Sequence, residues 1–461
     1  MIRSRSKVLV LMLLGLVTAA NCSAGRDVQV DPSKRYLRNA SGVPVFLLGY
    51  YDWAAVAPGF HIDHPATYDE MIRKGAEHGI NYIRITLGIN CMRSSTDPPS
   101  WNGKPTPIAF KTIDGKADLD TWDPVFWKGL RYHCELARKN GMLAHICFFD
   151  GVGLRPGTQS YRWSNSPWNT ENQTKVVFDN PDRNNNGYAD ENGDFYQVEA
   201  FRSNAGIGRY QRRLIDKALA ETSAYDNVFY EIGNELLGSS AEWNAAVVDY
   251  VHSKTRKAVT QNEGARALNI DGWAQHKAGD PLRVKLNAAE IVGKGCPAWE
   301  DPDGPALIKA SSDDLRRAAW YSLVGGAAGW GGFTADYWDG KFNAQTTSFY
   351  KHLQTFIRDS GVQFWKMAPN HDLVSNPAEN SCLADLGKEY LIYILNDESI
   401  TLDLGQVSGD AVYRLYDPRT GKWPSEAKVS GGSACSISKP HDLQDWVVYV
   451  SSRLPGTQKG H

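Results

Sequence analysis

The sequence predicts an α/β fold: a (β/α)₈ barrel over residues 25–366, followed by a small antiparallel β-sandwich over residues 367–455. Three observations carry this reading. From residue 43 to about 335, strand-like apolar runs alternate with helix-like segments, the pattern of a wound parallel sheet. One run, Val228-Phe229-Tyr230-Glu231-Ile232-Gly233-Asn234-Glu235, is long enough for one buried strand and ends in a carboxylate just before a helical segment. Past Lys366 the texture changes to short β-rich runs separated by turn signals such as Pro418-Arg419-Thr420-Gly421.

In chain order, Val45 to Leu48 begins the alternation, and Tyr68 to His78 is helical with Gly79 as its stop. Asn81 to Thr86 is a strand with Arg84 in its interior, where a guanidinium is costly unless paired. Side-chain alternation puts Phe229, Glu231, Gly233 and Glu235 on one face of the central strand. Arg84 is therefore expected to meet Glu231 or the site carboxylates inside the barrel. Phe126 to Asn140 is the next helix, and Met142 to Phe149 the third strand with Asp150 at its lip. The segment Gly151 to Phe195 is too long for an ordinary βα loop, which marks it as functional or as a cover. Helices follow at Ile207 to Thr222 and Trp243 to Val259, with strand candidates at Ala267 to Ile270 and Val284 to Ile291. A second Asn-Glu pair, Asn262-Glu263, follows a helical pattern and precedes Gly264, so it reads as a helix end. Cys296 to Trp299 is a short strand candidate, Asp313 to Leu323 a helix capped by Ser311 or Ser312, and Gly325 to Phe333 the last strand. Phe349 to Ser360 closes the barrel. Leu391 to Leu395, Val412 to Tyr416 and Trp446 to Val450 are strands of the β-domain.

The amino terminus reads as an export signal over residues 1–24. Arg3, Arg5 and Lys7 precede the apolar run Val8 to Val17, which is too short to span a bilayer. Cys22 is an alternative lipidated first residue. Either way the chain is expected outside the cytoplasm, secreted, periplasmic or at the cell surface. A formal net charge of −2 with no long basic or acidic block argues against nucleic acid or an anionic membrane as main partner. No CxxC or Cys/His spacing suggests zinc.

A carboxylate at the C-terminal lip of a parallel barrel strand is where this architecture places its reactive groups. Glycosidic bond hydrolysis needs one carboxyl group as acid and a second as nucleophile or base. Glu235 suits the acid/base role. Its partner is expected at another lip: Glu300 first, Glu290 second, Asp150 or another acid third.

The Gly-Asn-Glu ending the fourth strand resembles the clan A glycoside hydrolases, which are retaining (β/α)₈ enzymes. Phe46-Leu47-Leu48-Gly49, Ser166-Pro167-Trp168-Asn169-Thr170-Glu171-Asn172 and Leu315-Arg316-Arg317-Ala318-Ala319-Trp320 are similar to an uncharacterised bacterial branch that includes apiosidase-like proteins. Leu415 to Gly421 and Asp445-Trp446-Val447-Val448 resemble the β-domain that follows such barrels, sometimes labelled collagen-binding. The resemblance covers most of the chain beyond the export signal. It implies that Asn234 binds the sugar 2-hydroxyl, Glu235 is acid/base and Glu300 the nucleophile. Tyr50-Tyr51 stands where that branch often has an acidic residue, and the Glu235–Glu300 spacing is short.

Three further expectations complete the reading. Trp53 and Trp330 are candidate sugar platforms, and Arg84, Asp150 and His276 candidate substrate contacts. Asp182, Asn184, Asn186, Tyr188 and Asp190, with Gly187 between, match the start of a calcium loop, although Gly193 stands where a bidentate Glu belongs. Calcium is thus a possible structural ion, and no cofactor is required for the reaction. The expected function is an exported glycoside hydrolase acting on a poly- or oligosaccharide. The alternative is a carbohydrate- or matrix-binding protein that kept the barrel and lost the chemistry.

Overall fold

The computed structural model describes residues 27–50, 65–88, 107–157, 162–191, 194–276, 281–301, 310–333, 344–440 and 444–452. The expected export signal, Cys22 and Trp53 lie outside the described residues.

Eight parallel strands close a barrel: β1 (Leu47–Tyr50), β2 (Tyr82–Thr86), β3 (Leu143–Asp150), β4 (Val228–Asn234), β5 (Val259–Asn262), β6 (Gly272–Gln275), β7 (Ala298–Glu300) and β8 (Gly329–Phe333). Neighbouring strands pair in order, and β8 returns to β1. The helices are α1 (Pro65–Glu77), α2 (Pro124–Lys139), α3 (Val198–Ser203), α4 (Gly206–Thr222), α5 (Ala241–His252), α6 (Pro281–Val292), α7 (Ser312–Val324) and α8 (Ala344–Ser360). Two caps explain clean starts. Asp123 accepts from the N–H groups of Val125 and Phe126, ahead of Pro124 at the first helical position. Ser311 and Asp314 form a reciprocal capping box.

The expected α/β barrel with an antiparallel β-domain is present, with three local corrections. Ala267 to Ile270 is connecting chain rather than strand, and the fifth and sixth strands flank it. Val284 to Ile291 lies in α6. Asn262-Glu263 ends β5, so the second Asn-Glu pair also sits at a strand lip. The helical pattern misled because α5 stops at His252, and a four-residue polar strand has too few positions to declare a period.

The interior is layered. His145 stacks on Phe229 with ring centroids 4.2 Å apart, and Trp299 meets His145 edge-on at 5.7 Å. Above this aromatic floor lie Tyr82, Arg84, Glu231 and Asp301. Bare glycines make room for them. A Cβ on Gly331 would stand 2.0 Å from Asp301 Oδ1, and one on Gly49 would stand 2.0 Å from the Tyr82 ring.

The carboxy-terminal domain has strands β9 (Ala368–Pro369), β10 (Ser381–Asp385), β11 (Glu389–Ile394), β12 (Ser399–Asp403), β13 (Asp410–Asp417), β14 (Lys422–Ser430), β15 (Ala434–Ser438) and β16 (Trp446–Ser451). Six of them form one sheet, ordered β9-β10-β11-β16-β13-β14, while β12 pairs with β15. Alternation assigns its two faces. Ile392, Ile394, Val448 and Val450 pack towards Ile400, Leu402 and Ile437, whereas Leu391, Tyr393, Val447 and Tyr449 join the barrel core. The joint carries a buried ion pair. Arg316 on α7 donates through Nε to Asp445 at 3.1 Å, and the Tyr393 hydroxyl donates to the same carboxylate at 2.8 Å.

The described cysteines, Cys134, Cys147, Cys296, Cys382 and Cys435, are all free thiols. Among the described residues no helix is long and apolar enough to cross a membrane.

Candidate active site

Strands β3 to β7 deliver polar groups to one end of the barrel. Asn234, the last residue of β4, is the hub. Its amide nitrogen donates to Asp150 Oδ1 at 2.9 Å, and its oxygen accepts from Arg84 Nη2 at 3.1 Å. His276 Nε2 lies 3.0 Å from that same oxygen, and the other ring nitrogen meets the carbonyl of Asp301. One amide therefore ties the lips of β3, β4, β6 and β7 together, with Arg84 of β2 beneath.

Arg84 is fully buried and meets Glu231, as their shared inward parity requires. Its Nε donates to Glu231 Oε2 at 3.0 Å, and Nη2 pairs with the other oxygen. With Asp301 Oδ2 3.8 Å from Nε, the guanidinium holds the site from below. His145 approaches Glu231 at 3.3 Å, but burial first and Arg84 second hold its pKa well below the ordinary value, so it is neutral.

Glu235 follows Asn234 at the mouth with a positive φ of 47°, which a non-glycine residue rarely adopts. The strain, roughly 1–3 kcal/mol by analogy with other such sites, is held by fixed partners. The Glu235 N–H donates to Asn262 Oδ1 at 3.1 Å, and Arg155 grips the carbonyl and the carboxylate. The side chain keeps 17% exposure. Glu263, one strand on, repeats the geometry with φ 52° and accepts from the His276 N–H at 3.4 Å.

The structure does not bring Glu300 into this set. Trp299 turns inward to His145, so alternation sends Ala298 and Glu300 outward; Ala298 packs with Ala288 and Ile291 of α6. Glu300 accepts from Gln275 Nε2 at 2.5 Å and is fully buried. Its neighbour Asp301 takes the inward place, accepting from the Tyr82 hydroxyl at 3.1 Å. Burial raises the Asp301 pKa, while Arg84 and His276 pull it back. Glu290, the other expected partner, lies on α6 beside Lys294 at 3.4 Å, away from the strand lips. Trp330 is only 1% exposed and donates to the Tyr350 hydroxyl of α8 at 2.8 Å, so it packs in the helix layer and offers no face to a sugar.

The Asp182–Asp190 loop is ordered by its own backbone. Asp182 Oδ1 accepts from the Asn186 N–H at 3.0 Å, and Oδ2 from the Gly187 N–H at 2.7 Å and from Trp163 Nε1 at 3.2 Å. Asn186 Oδ1 accepts from the Tyr188 N–H at 2.9 Å, and Asn184 Oδ1 from the Asn186 N–H at 3.2 Å. Asp190 is turned to Arg155, the Tyr196 hydroxyl and the Gly238 N–H. Among the described residues no three His, Cys, Asp or Glu groups gather where they could hold a metal ion.

Asp150 gives a pH prediction. Burial, reinforced by the nearby Glu235 charge and opposed by the Asn234 hydrogen bond, pushes its pKa up from 3.8 to about 6. The folded chain therefore binds more protons than the unfolded one between pH 4 and 6. Stability linked to this group is present below pH 4 and is lost as pH rises through 6, by roughly 3 kcal/mol in all. Asp150→Asn keeps the oxygen that serves Asn234 and removes the titration. Relative to wild type, urea unfolding should find the variant gaining roughly 2–3 kcal/mol between pH 4 and pH 7. An unchanged difference across that window would show that Asp150 does not titrate there.

Sequence reasoning missed Asp301, Glu263 and Arg155. The repeated Asn-Glu pair was a signal for Glu263. Asp301 was one residue from the expected position, and Arg155 carried no local sign.

No family model matches the chain, and no curated protein matches it. Solved structures do match in shape. A glycoside hydrolase family 5 protein from Bacteroides vulgatus superposes with TM-score 0.63 at 14% identity, covering 93% of this chain and 94% of that one. A putative glycoside hydrolase from the same organism gives TM-score 0.61 at 14% identity over 94% and 83%. A third, described only as a glycoside hydrolase, gives TM-score 0.61 at 14% identity over 92% and 96%. The likeness is one of fold, and it spans the barrel and the β-domain together.

Proposed function

We propose that the chain is a glycoside hydrolase acting on an oligo- or polysaccharide, with Glu235 as acid/base and Asp301 as the second carboxylate. The observation that carries this is the cross-barrel link: β4 and β7 each present an acid, Glu235 and Asp301, at lips joined through Asn234 and His276. In this reading Glu235 gives a proton to the glycosidic oxygen as that bond breaks. The Asp301 carboxylate attacks the anomeric carbon to form a glycosyl ester. Water then cleaves the ester, its proton returning to Glu235. Arg84 and His276 help keep Asp301 ionised for the attack. The Gly233-Asn234-Glu235 ending of β4, which resembles the retaining clan A glycoside hydrolases, favours retention of configuration, which the anomeric signal of the first-formed product reports directly. The fold neighbours described as glycoside hydrolases support the same reaction class.

The test is a panel of 4-nitrophenyl glycosides with wild type, Asp301→Asn and Glu300→Gln. The proposal expects Asp301→Asn to lose turnover by about 10³-fold or more, the scale of losing a member of a reacting unit, while Glu300→Gln keeps wild-type rates in whatever fraction remains folded. The opposite order would restore Glu300 to the role its position first suggested.

A second reading has its own support: Glu235 is ion-paired to Arg155, as an acid retired from chemistry could be. A binding-only barrel would retain glycans on an affinity gel and turn over none of the panel. A calcium role for the Asp182 loop rests on its spacing, and calorimetry with calcium plus a melt with chelator decides it.

A further inference from the structure

A proton donor must be aimed, and the residue that aims Glu235 comes from the long segment after β3. Arg155 spends all three of its nitrogens. Nη1 donates to Glu235 Oε2 at 2.8 Å, Nη2 to the Glu235 carbonyl at 2.6 Å, and Nε to Asp190 Oδ2 at 3.1 Å. The planar fork thus fixes the side chain and main chain of one residue at once, which a lysine cannot do.

Asp190 is a firm anchor. Its carboxylate is fully buried and also accepts from the Tyr196 hydroxyl and from the Gly238 N–H at 3.2 Å. The neighbouring chain leaves no slack: a Cβ on Gly151 would stand 2.2 Å from the Glu235 carbonyl, and one on Gly238 would stand 1.5 Å from the Asp190 carbonyl. Arg155 therefore clamps a strained backbone whose φ is 47°.

We propose that Arg155, seated on Asp190, is the positioning residue for the Glu235 carboxyl group, and that the Gly151–Phe195 segment exists in part to deliver it. This rests on the reading of Glu235 as acid/base. Arg155 itself does not act on the sugar. It fixes where the carboxyl oxygens lie, and it must let go of Oε2 when that oxygen takes up a proton.

A positioning role leaves a mark that a stability role does not. A 2,4-dinitrophenolate leaving group departs without a proton, whereas a phenolate needs one. Arg155→Gln should lower kcat on the phenyl glycoside on the order of tenfold to a hundredfold, the cost of a misplaced group. It should change kcat/KM for the dinitrophenyl glycoside, which reports only formation of the glycosyl ester, less than threefold (roughly, for a step that needs no proton). Arg155→Lys should fall between wild type and Arg155→Gln on the phenyl glycoside. The sugar is whichever one the 4-nitrophenyl panel turns over. A readout independent of turnover is carbodiimide labelling of Glu235, quantified on its peptide: Arg155→Gln should label faster than wild type.

Equal losses in kcat/KM on both leaving groups, or wild-type values on both, would overturn the assignment, as would unchanged labelling. Glu235→Gln is the control that separates the two ideas. If it is crippled while Arg155→Gln behaves as wild type, only the Arg155 role falls. If it turns over normally, the acid/base reading falls with it.

Discussion

Glu235→Gln should lower kcat on a phenyl glycoside by about 10²–10⁴-fold, the range that a positioned general acid contributes, with KM little changed. The amide is nearly isosteric and can still accept from Arg155, so the fold should hold and a melting curve should match wild type. What it cannot do is give up a proton. In kcat/KM, which reports formation of the glycosyl ester, the loss must therefore be concentrated where the leaving group needs a proton and small where it does not. Asn262 serves as an internal control: its side-chain oxygen accepts from the Glu235 N–H, so its substitution should disturb geometry rather than remove a proton. A Glu235→Gln enzyme with wild-type rates on a poor leaving group would leave Asp150 or Glu263 as the donor. Asp150 already holds a proton more readily than an ordinary carboxyl group, with its pKa at about 6.

The parts of this site that could be read from sequence were those set by alternation along a strand with a clear register. The run Val228–Asn234 has seven buried positions, so the inward parity of Glu231 and its meeting with Arg84 followed from counting by twos. Strand β7 has only three residues, and there the same rule fails without a fixed starting point. A slip of one residue exchanges the two faces, and it exchanged Glu300 for Asp301. The apolar run in α6 was mistaken for a strand because short apolar stretches do not distinguish the two periods. Arg155 was out of reach altogether. Its partners lie 35 and 80 residues away, and nothing local to Gly-Leu-Arg-Pro announces either contact. Long-range pairing of this kind is decided by the fold, which is why the hub at Asn234 was legible and the clamp on its neighbour was not.

Arg84→Leu should destabilise the protein by about 3–5 kcal/mol, the cost of leaving a buried ion without its counter-charge, measured as a shift in the urea midpoint at constant slope. Glu231 is fully buried, and this change takes away its guanidinium partner, leaving the His145 ring at 3.3 Å and the Cys147 thiol beside it. The double variant Arg84→Leu/Glu231→Leu removes both charges and keeps similar volume, so most of the lost stability should return. Activity should not return with it. Arg84 also donates to Asn234 at 3.1 Å and stands 3.8 Å from Asp301, so without it the amide hub loses one of its holders and Asp301 loses a positive neighbour. With that neighbour gone, burial is opposed chiefly by His276 and the Tyr82 hydrogen bond, and more of Asp301 stays protonated, where a proposed nucleophile must be ionised. The two readouts should therefore separate: a stable double variant with kcat still low. If the double variant is as unstable as Arg84→Leu, the orphaned Glu231 charge is not the cause of the loss. If instead the double variant turns over like wild type, the guanidinium beneath the pocket serves packing only, and its reach to Asn234 and Asp301 plays no part in the chemistry.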